Sequence, residues 1–224
     1  MVQKLDVIKY GMINYEKAYK LQLELLEKRY QNKINDTLLL VEHPPVFTIG
    51  ASGTRENIVA ADELLNKAGI EVFETNRGGD ITYHGPGQIV GYPILNLKEH
   101  KQDLHWLLSA YEEVFIRLLE KYNIQGRRID GLTGVWVDNK KITAIGVGVK
   151  HWITYHGFAF NINPNLEHFS YIIPCGITDK GVTSLKKVMG SEINNEEVTK
   201  KLVKSFARVF KMEASDSKNN FKLA

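Results

Sequence analysis

Residues 134–149 read GVWVDNKKITAIGVGV. Two apolar runs, Gly134–Val137 and Lys141–Val149, flank Asp138-Asn139-Lys140, a turn tripeptide, and this pattern predicts a β-hairpin. Working outward, β-like runs fall at Thr37–Val41, Val46–Ile49, Ile70–Glu74 and Ile89–Leu95. An aromatic, alternating run follows the hairpin at His156–Ile162. Strands and helical segments mix without strict alternation, and the hairpin is necessarily antiparallel. The fold class expected is therefore α/β of the α+β type, a mixed sheet packed by helices rather than a doubly wound parallel sheet.

Four stretches carry helical period. Tyr15, Ala18, Leu21 and Leu25 line one face after Asn14, a side chain suited to an N-cap. A short segment over Ala60–Ala68 ends at Gly69, a C-terminal stop signal. The strongest pattern runs from Leu104 to Tyr122. The last takes Val198, Leu202, Phe206, Val209 and Phe210, and Asn194 three residues before Glu197 gives it a capping-box arrangement. No repeat or Pro/Gly/Ser linker divides the chain. A single domain over residues 1–212 is expected, followed by a polar tail over residues 213–224.

The chain has 224 residues, 43% of them hydrophobic and 25% charged, with a formal charge of +3. That length buries a core without disulfides or a structural metal. The single cysteine excludes an internal disulfide and a cysteine-rich zinc site. No apolar run approaches the roughly 20 residues that cross a bilayer, and Met1–Tyr10 lacks the apolar core of a signal peptide. The charge is too mild to point to nucleic acid, and the one dense basic spot, Arg127-Arg128, reads as a solvated loop. A mildly basic surface does suit an acidic protein partner, by steering its encounter. The expectation is a cytoplasmic monomer that uses neither membrane nor nucleic acid.

Four constellations could carry chemistry. Arg77–Gln88 holds four glycines and a proline, and reads as an irregular backbone that lets a ligand approach its N–H groups. Arg77, Thr82, His84 and Gln88 place side-chain donors beside it. Glycine count alone favours a tight interstrand loop; the added Arg, Thr and His favour a binding loop. The spacing matches neither a phosphate-cradling loop nor a dinucleotide fingerprint. Cys175 sits between Pro174 and Gly176 in a segment without period. A lone cysteine is most often a buried small hydrophobe, but such segments also place reactive groups. A nucleophilic thiol needs a cation or helix N-terminus nearby, and spacing leaves its partner open among seven histidines and many lysines. Lys141 begins a strand; the ordinary reading is a solvated charge, sharing a face with Thr143 and Ile145 while Lys140 points the other way or lies in the turn. His156–Asn161 reads as a core strand with a hydrogen-bonded histidine.

Taken together, these segments resemble the lipoyl(octanoyl) transferase family, also called lipoyl-protein ligase B. Arg77–Tyr92 looks like the family signature R-G-G-x-x-T-[aromatic]-H-x-x-G-Q-x-x-x-Y. Flanking matches are Glu42–Gly50, Gly134–Val137, Lys141–Gly146, Tyr155–Ala159 and Pro174–Ile177, so the likeness runs from about residue 38 to 185. One departure is Thr143, where the family usually carries alanine, which would add a hydroxyl near the site. The resemblance implies a biotin/lipoate protein ligase fold. It also implies transfer of an octanoyl group from acyl carrier protein to a lysine of a lipoyl domain, in 2-oxo acid dehydrogenases and in the glycine cleavage H protein. It assigns Cys175 and Lys141 as the catalytic pair, with Cys175 carrying a thioester. Substrate binding falls to Arg77, Gly78, Gly79, Asp80, Ile81, Thr82, Tyr83, His84, Ala144, Ile145, Gly146, Gly157, Phe158 and Ala159, and no cofactor or metal is implied. Two other readings stay open at this point: an ATP-dependent lipoate or biotin ligase on the same fold, for which Cys175 would be dispensable, and a non-catalytic acyl-binding protein, which would bind without any mass change.

Overall fold

A computed structural model of the chain describes residues 2–173 and 180–217. The chain opens on β1 (Gln3–Met12) and α1 (Tyr15–Tyr30), then β2 (Asp36–Glu42), β3 (Val46–Ile49) and α2 (Asp62–Ala68). It continues through β4 (Glu71–Glu74), β5 (Ile81–His84), β6 (Gln88–Ile94) and α3 (Leu104–Glu120). Then come β7 (Arg127–Ile129), β8 (Leu132–Val137), β9 (Lys140–Lys150) and β10 (Ile153–Asn161), and last β11 (Gly181–Val182), α4 (Leu185–Met189), α5 (Asn195–Phe210) and β12 (Met212–Asp216).

The helix caps follow the sequence. Asn14 Oδ1 accepts the backbone N–H of Glu16 at 2.9 Å, and Asn194 Oδ1 accepts those of Glu196 and Glu197 at 2.9 and 3.1 Å. These bonds satisfy donors that a helix start leaves open. The reciprocal half of the expected box at α5 goes elsewhere: the Glu197 carboxylate pairs with Lys201 at 2.6 Å. Gly69 ends α2 at φ 64, a left-handed conformation that suits a residue without Cβ.

The large sheet runs β12-β1-β2-β6-β10-β9-β8-β7, with β11 added against β9, and mixes parallel and antiparallel pairs as expected. A second, three-stranded sheet runs β4-β3-β5. Strand β2 is buried on both faces, which explains its unbroken Leu38–Val41 run. Leu38 and Leu40 join the core beneath α3 and α5, while Leu39 and Val41 face α1. A third cluster, centred on Phe47, Ile81 and Tyr83, underlies the small sheet.

Two expectations are corrected. The residues read as a tail from Glu213 continue β12 to Asp216, pairing parallel with β1 from Gln3↔Met212 to Val7↔Asp216. An edge strand bonds through its backbone on one side, so its side chains remain polar and exposed, as in a tail. The stretch Arg77–Gln88 is not irregular throughout: Ile81–His84 form β5, antiparallel to β3. Strand β1 falls in the N-terminal stretch, for which the sequence reading named no element. Among the described residues no helix is long and apolar enough to cross a membrane.

Candidate active site

A cavity of about 510 Å³ opens where β9 and β10 of the large sheet meet the loop that leads into β5. Arg77 through Thr82, His84, Lys141, Ala144 through Gly146 and Gly157 through Ala159 all line it. These stretches lie far apart in sequence, and the antiparallel register unites two of them: Gly146 pairs with Gly157 and Ala144 with Ala159. The paired positions Ala144, Gly146, Gly157 and Ala159 thus give this part of the lining side chains no larger than a methyl group, with Ile145 and Phe158 bordering the cavity beside them. Gly146 has a further reason to be glycine, since a Cβ there would lie 2.6 Å from the carbonyl oxygen of Gly78. The same crossing is held by the Gly78 N–H, which donates to the Val147 carbonyl at 2.9 Å.

Lys141 reaches the cavity because β9 carries a bulge. Val135 pairs with Thr143 and Trp136 with Lys141, so one step along β8 spans two along β9. Ile142 and Thr143 are both fully buried, and Ile142 packs into the core with Val135. The expectation that Lys141 shares a face with Thr143 and Ile145 is therefore overturned: the extra residue turns Lys141 to the side of Ala144 and Gly146. Its stem lies against Gly134, and its Nζ stands 4.8 Å from the centroid of the Trp136 ring. Lys140 is exposed and lies outside the cavity lining. Thr143 does not border the cavity either; its buried hydroxyl has no hydrogen-bond partner among the described residues.

Arg77 braces the loop. Its Nε donates to Thr48 Oγ1 at 3.1 Å, one terminal nitrogen to the Thr48 carbonyl at 2.6 Å, and the other to the Gly78 carbonyl at 3.1 Å. The Asp80 carboxylate accepts from Asn57 Nδ2 at 2.8 Å and from the Ile81 N–H at 2.7 Å. Tyr83 is the one described candidate turned away from the cavity. It alternates with Thr82 and His84 along β5, packs on Phe47 and Phe169, and its hydroxyl meets His168 Nδ1 at 2.9 Å. Cys175 lies outside the described residues; Lys180, Gly181 and Val182, which follow it in sequence, line the cavity.

Behind the loop stand buried imidazoles. His84 Nδ1 lies 2.7 Å from Gln88 Oε1, and Gln88 Nε2 donates onward to Asn161 Oδ1 at 2.8 Å, so this imidazole knits β5 to β6 and β10. His43 Nδ1 donates to the Ile13 carbonyl at 2.7 Å, which leaves Nε2 to accept from the Tyr92 hydroxyl at 2.7 Å. Burial pulls His43 down to about 4, and burial together with the nearby His43 pulls His84 down to about 3. Burial, then the Arg77 charge, pulls His156 down to about 3. All three are neutral at pH 7. His156 also holds a left-handed backbone, φ 54, in mid-strand, and stacks on Tyr19 at 5.4 Å.

Several further residues line the cavity without a substrate-binding role assigned from the sequence: Tyr15, Gln88, Tyr92, Trp136, His156 and Asn161, of which Gln88 was named only as a donor beside the loop. Gln88, Tyr92, Trp136 and His156 stood within the quoted motif segments, so a signal for them existed. Asn161 closes the His156–Asn161 segment, which reads as a core strand, while Tyr15 reads as one face of a helix and only packing brings it in. Among the described residues no group of three or more His, Cys, Asp or Glu could hold a metal.

The architecture is that of lipoate and biotin protein ligase catalytic domains. A lipoate protein ligase of Thermoplasma acidophilum with bound lipoic acid superposes with TM-score 0.77 at 15% identity, covering 97% of this chain and 89% of that one. A biotin protein ligase of Aquifex aeolicus superposes at 0.52 and 17% identity, over 94% and 70% of the two chains. Residues 14–207 match the family model for the lipoyl protein ligase A/B catalytic domain, and the chain belongs to this family. Within it, the chain is 53% identical over 209 residues to an octanoyltransferase of Caldicellulosiruptor saccharolyticus, covering 92% of this chain and 89% of that protein. It is 50% identical over 211 residues to an octanoyltransferase of Desulforamulus reducens, covering 94% and 92%.

Proposed function

We infer that this chain is an octanoyltransferase of protein lipoylation, working through a thioester on Cys175 with Lys141 as its proton partner. Transfer of an octanoyl group is the activity named for its half-identical relatives. The observation that carries the mechanism is the turn of Lys141, by the β9 bulge, into a cavity floored by Ala144, Gly146, Gly157 and Ala159. This patch of small residues, bordered by Ile145 and Phe158, suits an extended alkyl chain, and an eight-carbon chain gains about 5 kcal/mol there at roughly 0.8 kcal/mol per buried CH₂.

The donor is octanoyl-acyl carrier protein. The Cys175 thiolate attacks its thioester carbonyl, the carrier sulfur leaves and takes a proton from the Lys141 ammonium, which becomes neutral, and one thioester replaces another at little net energy, so ATP has no part. The Lys141 ammonium favours the thiolate. In the second half, the amine of a lipoyl-domain lysine attacks the acyl-enzyme. An amide forms, the Cys175 sulfur leaves, and neutral Lys141 removes the proton that the attacking nitrogen sheds. The acceptors are the lipoyl domains of 2-oxo acid dehydrogenases and the glycine cleavage H protein. The cytoplasm, where a thiol stays reduced, is the compartment this chemistry requires.

Intact mass after mixing with octanoyl-acyl carrier protein, without ATP or magnesium, tests the reading. One octanoyl adduct is expected, labile to hydroxylamine, discharged by an unmodified lipoyl domain and absent from Cys175→Ser. An adduct that forms only with ATP, or one that persists on the serine variant and resists hydroxylamine, overturns it.

A further inference from the structure

We propose that Trp136 is a positioning residue for the reaction: the face of its indole holds the Lys141 ammonium in its charged form and at its place in the cavity. The proposal rests on the role given above to Lys141, and adds a residue with no assigned part in it.

Three observations carry it. Trp136 and Lys141 are direct cross-strand partners, and the bulge beside them puts both on the cavity side. The Lys141 Nζ lies 4.8 Å from the centroid of the Trp136 ring, within the range where the negative face of an aromatic attracts a cation. Nearer its base the lysine stem runs by Gly134, where a Cβ would stand 3.4 Å from Lys141 Cε and 2.5 Å from the Thr143 carbonyl oxygen. Gly134 also holds φ +125, a conformation that side chains disfavour. The lysine thus has its stem against a bare Cα and its Nζ against an indole face, and these two contacts limit the usual freedom of the four-carbon stem.

The third observation is a cost that the protein bears. Trp136 is only 1% exposed, and its Nε1–H has no hydrogen-bond partner among the described residues. A buried donor left unpaired destabilises a fold. Phenylalanine would fill much of the same space without that donor. What tryptophan alone offers here is the strongest face among aromatic side chains for a cation. That face favours the ammonium over the neutral amine, which is the form that stabilises a neighbouring thiolate.

The test titrates Lys141 itself, by NMR of the labelled Nζ in the whole chain, assigned with Lys141→Ala. Trp136→Leu is expected to lower the Lys141 titration midpoint by about 0.5–1 pH unit, and Trp136→Phe to lower it by less. Incorporating mono-, di- and trifluorotryptophan in a Trp106→Phe, Trp152→Phe background keeps the packing of residue 136, and should lower the midpoint stepwise as fluorine withdraws charge from the ring. This series decides the matter even if Trp136→Leu does not fold. A midpoint that is unmoved by fluorination, or that Trp136→Leu raises, overturns the proposal. The pH profile of Cys175 alkylation, measured alongside, separates it from the underlying reading. If fluorination moves Lys141 but Lys141→Ala leaves the thiol profile unchanged, the indole holds the ammonium and the thiolate role of the lysine fails instead.

Discussion

Lys140 and Lys141 are adjacent and identical, yet only one borders the cavity, so a single-residue choice decides where a charge is delivered. An ammonium within a few ångströms stabilises a thiolate. Lys141→Ala should therefore raise the pH midpoint of Cys175 alkylation by iodoacetamide by about 1–2 pH units, while Lys140→Ala should match the parent protein. The pH–rate profiles of the three proteins check this, and a shift seen with Lys140→Ala alone would contradict the register described here. Thr143 offers a second residue-scale test. Its hydroxyl is buried without a partner among the described residues, next to Val135 and Phe160 in the core ladder. Thr143→Val removes the unpaired group at nearly constant volume, and should stabilise the fold by about 1 kcal/mol, seen as a rise in Tm of about 2–4 °C. An unchanged or lower Tm would show that the hydroxyl is satisfied after all.

At the scale of elements, the site is a crossing: the loop before β5 passes over β9, and each is shaped by the other. The contact is backbone to backbone, Gly78 on Gly146 and Val147, so no rotamer change can absorb an added atom. Gly146→Ala should push the loop off the strand. Misplacement of about an ångström costs on the order of 100-fold in rate, and overpacking costs about 1–3 kcal/mol in stability. Octanoyl transfer measured beside circular dichroism checks this; full activity in a folded Gly146→Ala protein would mean that the loop geometry is not what the reaction uses. His84 belongs to this scale too, because its hydrogen bond to Gln88 ties β5 to the first residue of β6 and so braces the loop from below.

At the scale of the molecule, three neutral imidazoles are packed where α1, the large sheet and the small sheet converge. His43 and His84 lie 5.8 Å apart, and His84 and His156 both feel the Arg77 charge. In the unfolded chain each takes up a proton near pH 6.5; in the folded chain His43 waits until about 4, and His84 and His156 until about 3. The unfolded state therefore binds more protons throughout this window. Stability is full above about pH 6.5 and falls as the pH drops toward 4, by up to about 4 kcal/mol per pH unit for three such groups. Asp36 acts lower down: burial alone would raise it, but hydrogen bonds from His100 and Arg29 hold it below the usual aspartate value. Its contribution is present above about pH 4 and is lost as the pH falls through its own, lower value. Urea midpoints at pH 7.5, 6 and 5 measure the histidine effect, which a flat profile over that range would refute.

Much of this molecule was legible in the chain itself. Caps at Asn14, Asn194 and Gly69, the 3.6-residue period of Leu104–Tyr122 and the turn at Asp138–Lys140 are local signals, and local energetics places those elements where they stand. The motif segments named most of the cavity wall for the same reason: glycines and alanines at a crossing are required by backbone contact, whatever surrounds them. Local patterns do not show how residues are counted against a partner strand. Two residues of β9 stand opposite one step of β8, and this bulge turns Lys141 toward the cavity where strict alternation aligns it with Thr143 and Ile145. Likewise the pleat of β5 against β3 sends Tyr83 into the core between two cavity residues, and pairing with β1 turns a polar tail into a strand. Tyr15 enters the site only because α1 packs across the large sheet. Side-chain period is a property of one strand, whereas register and facing belong to the pair, so they were settled only when the strands met.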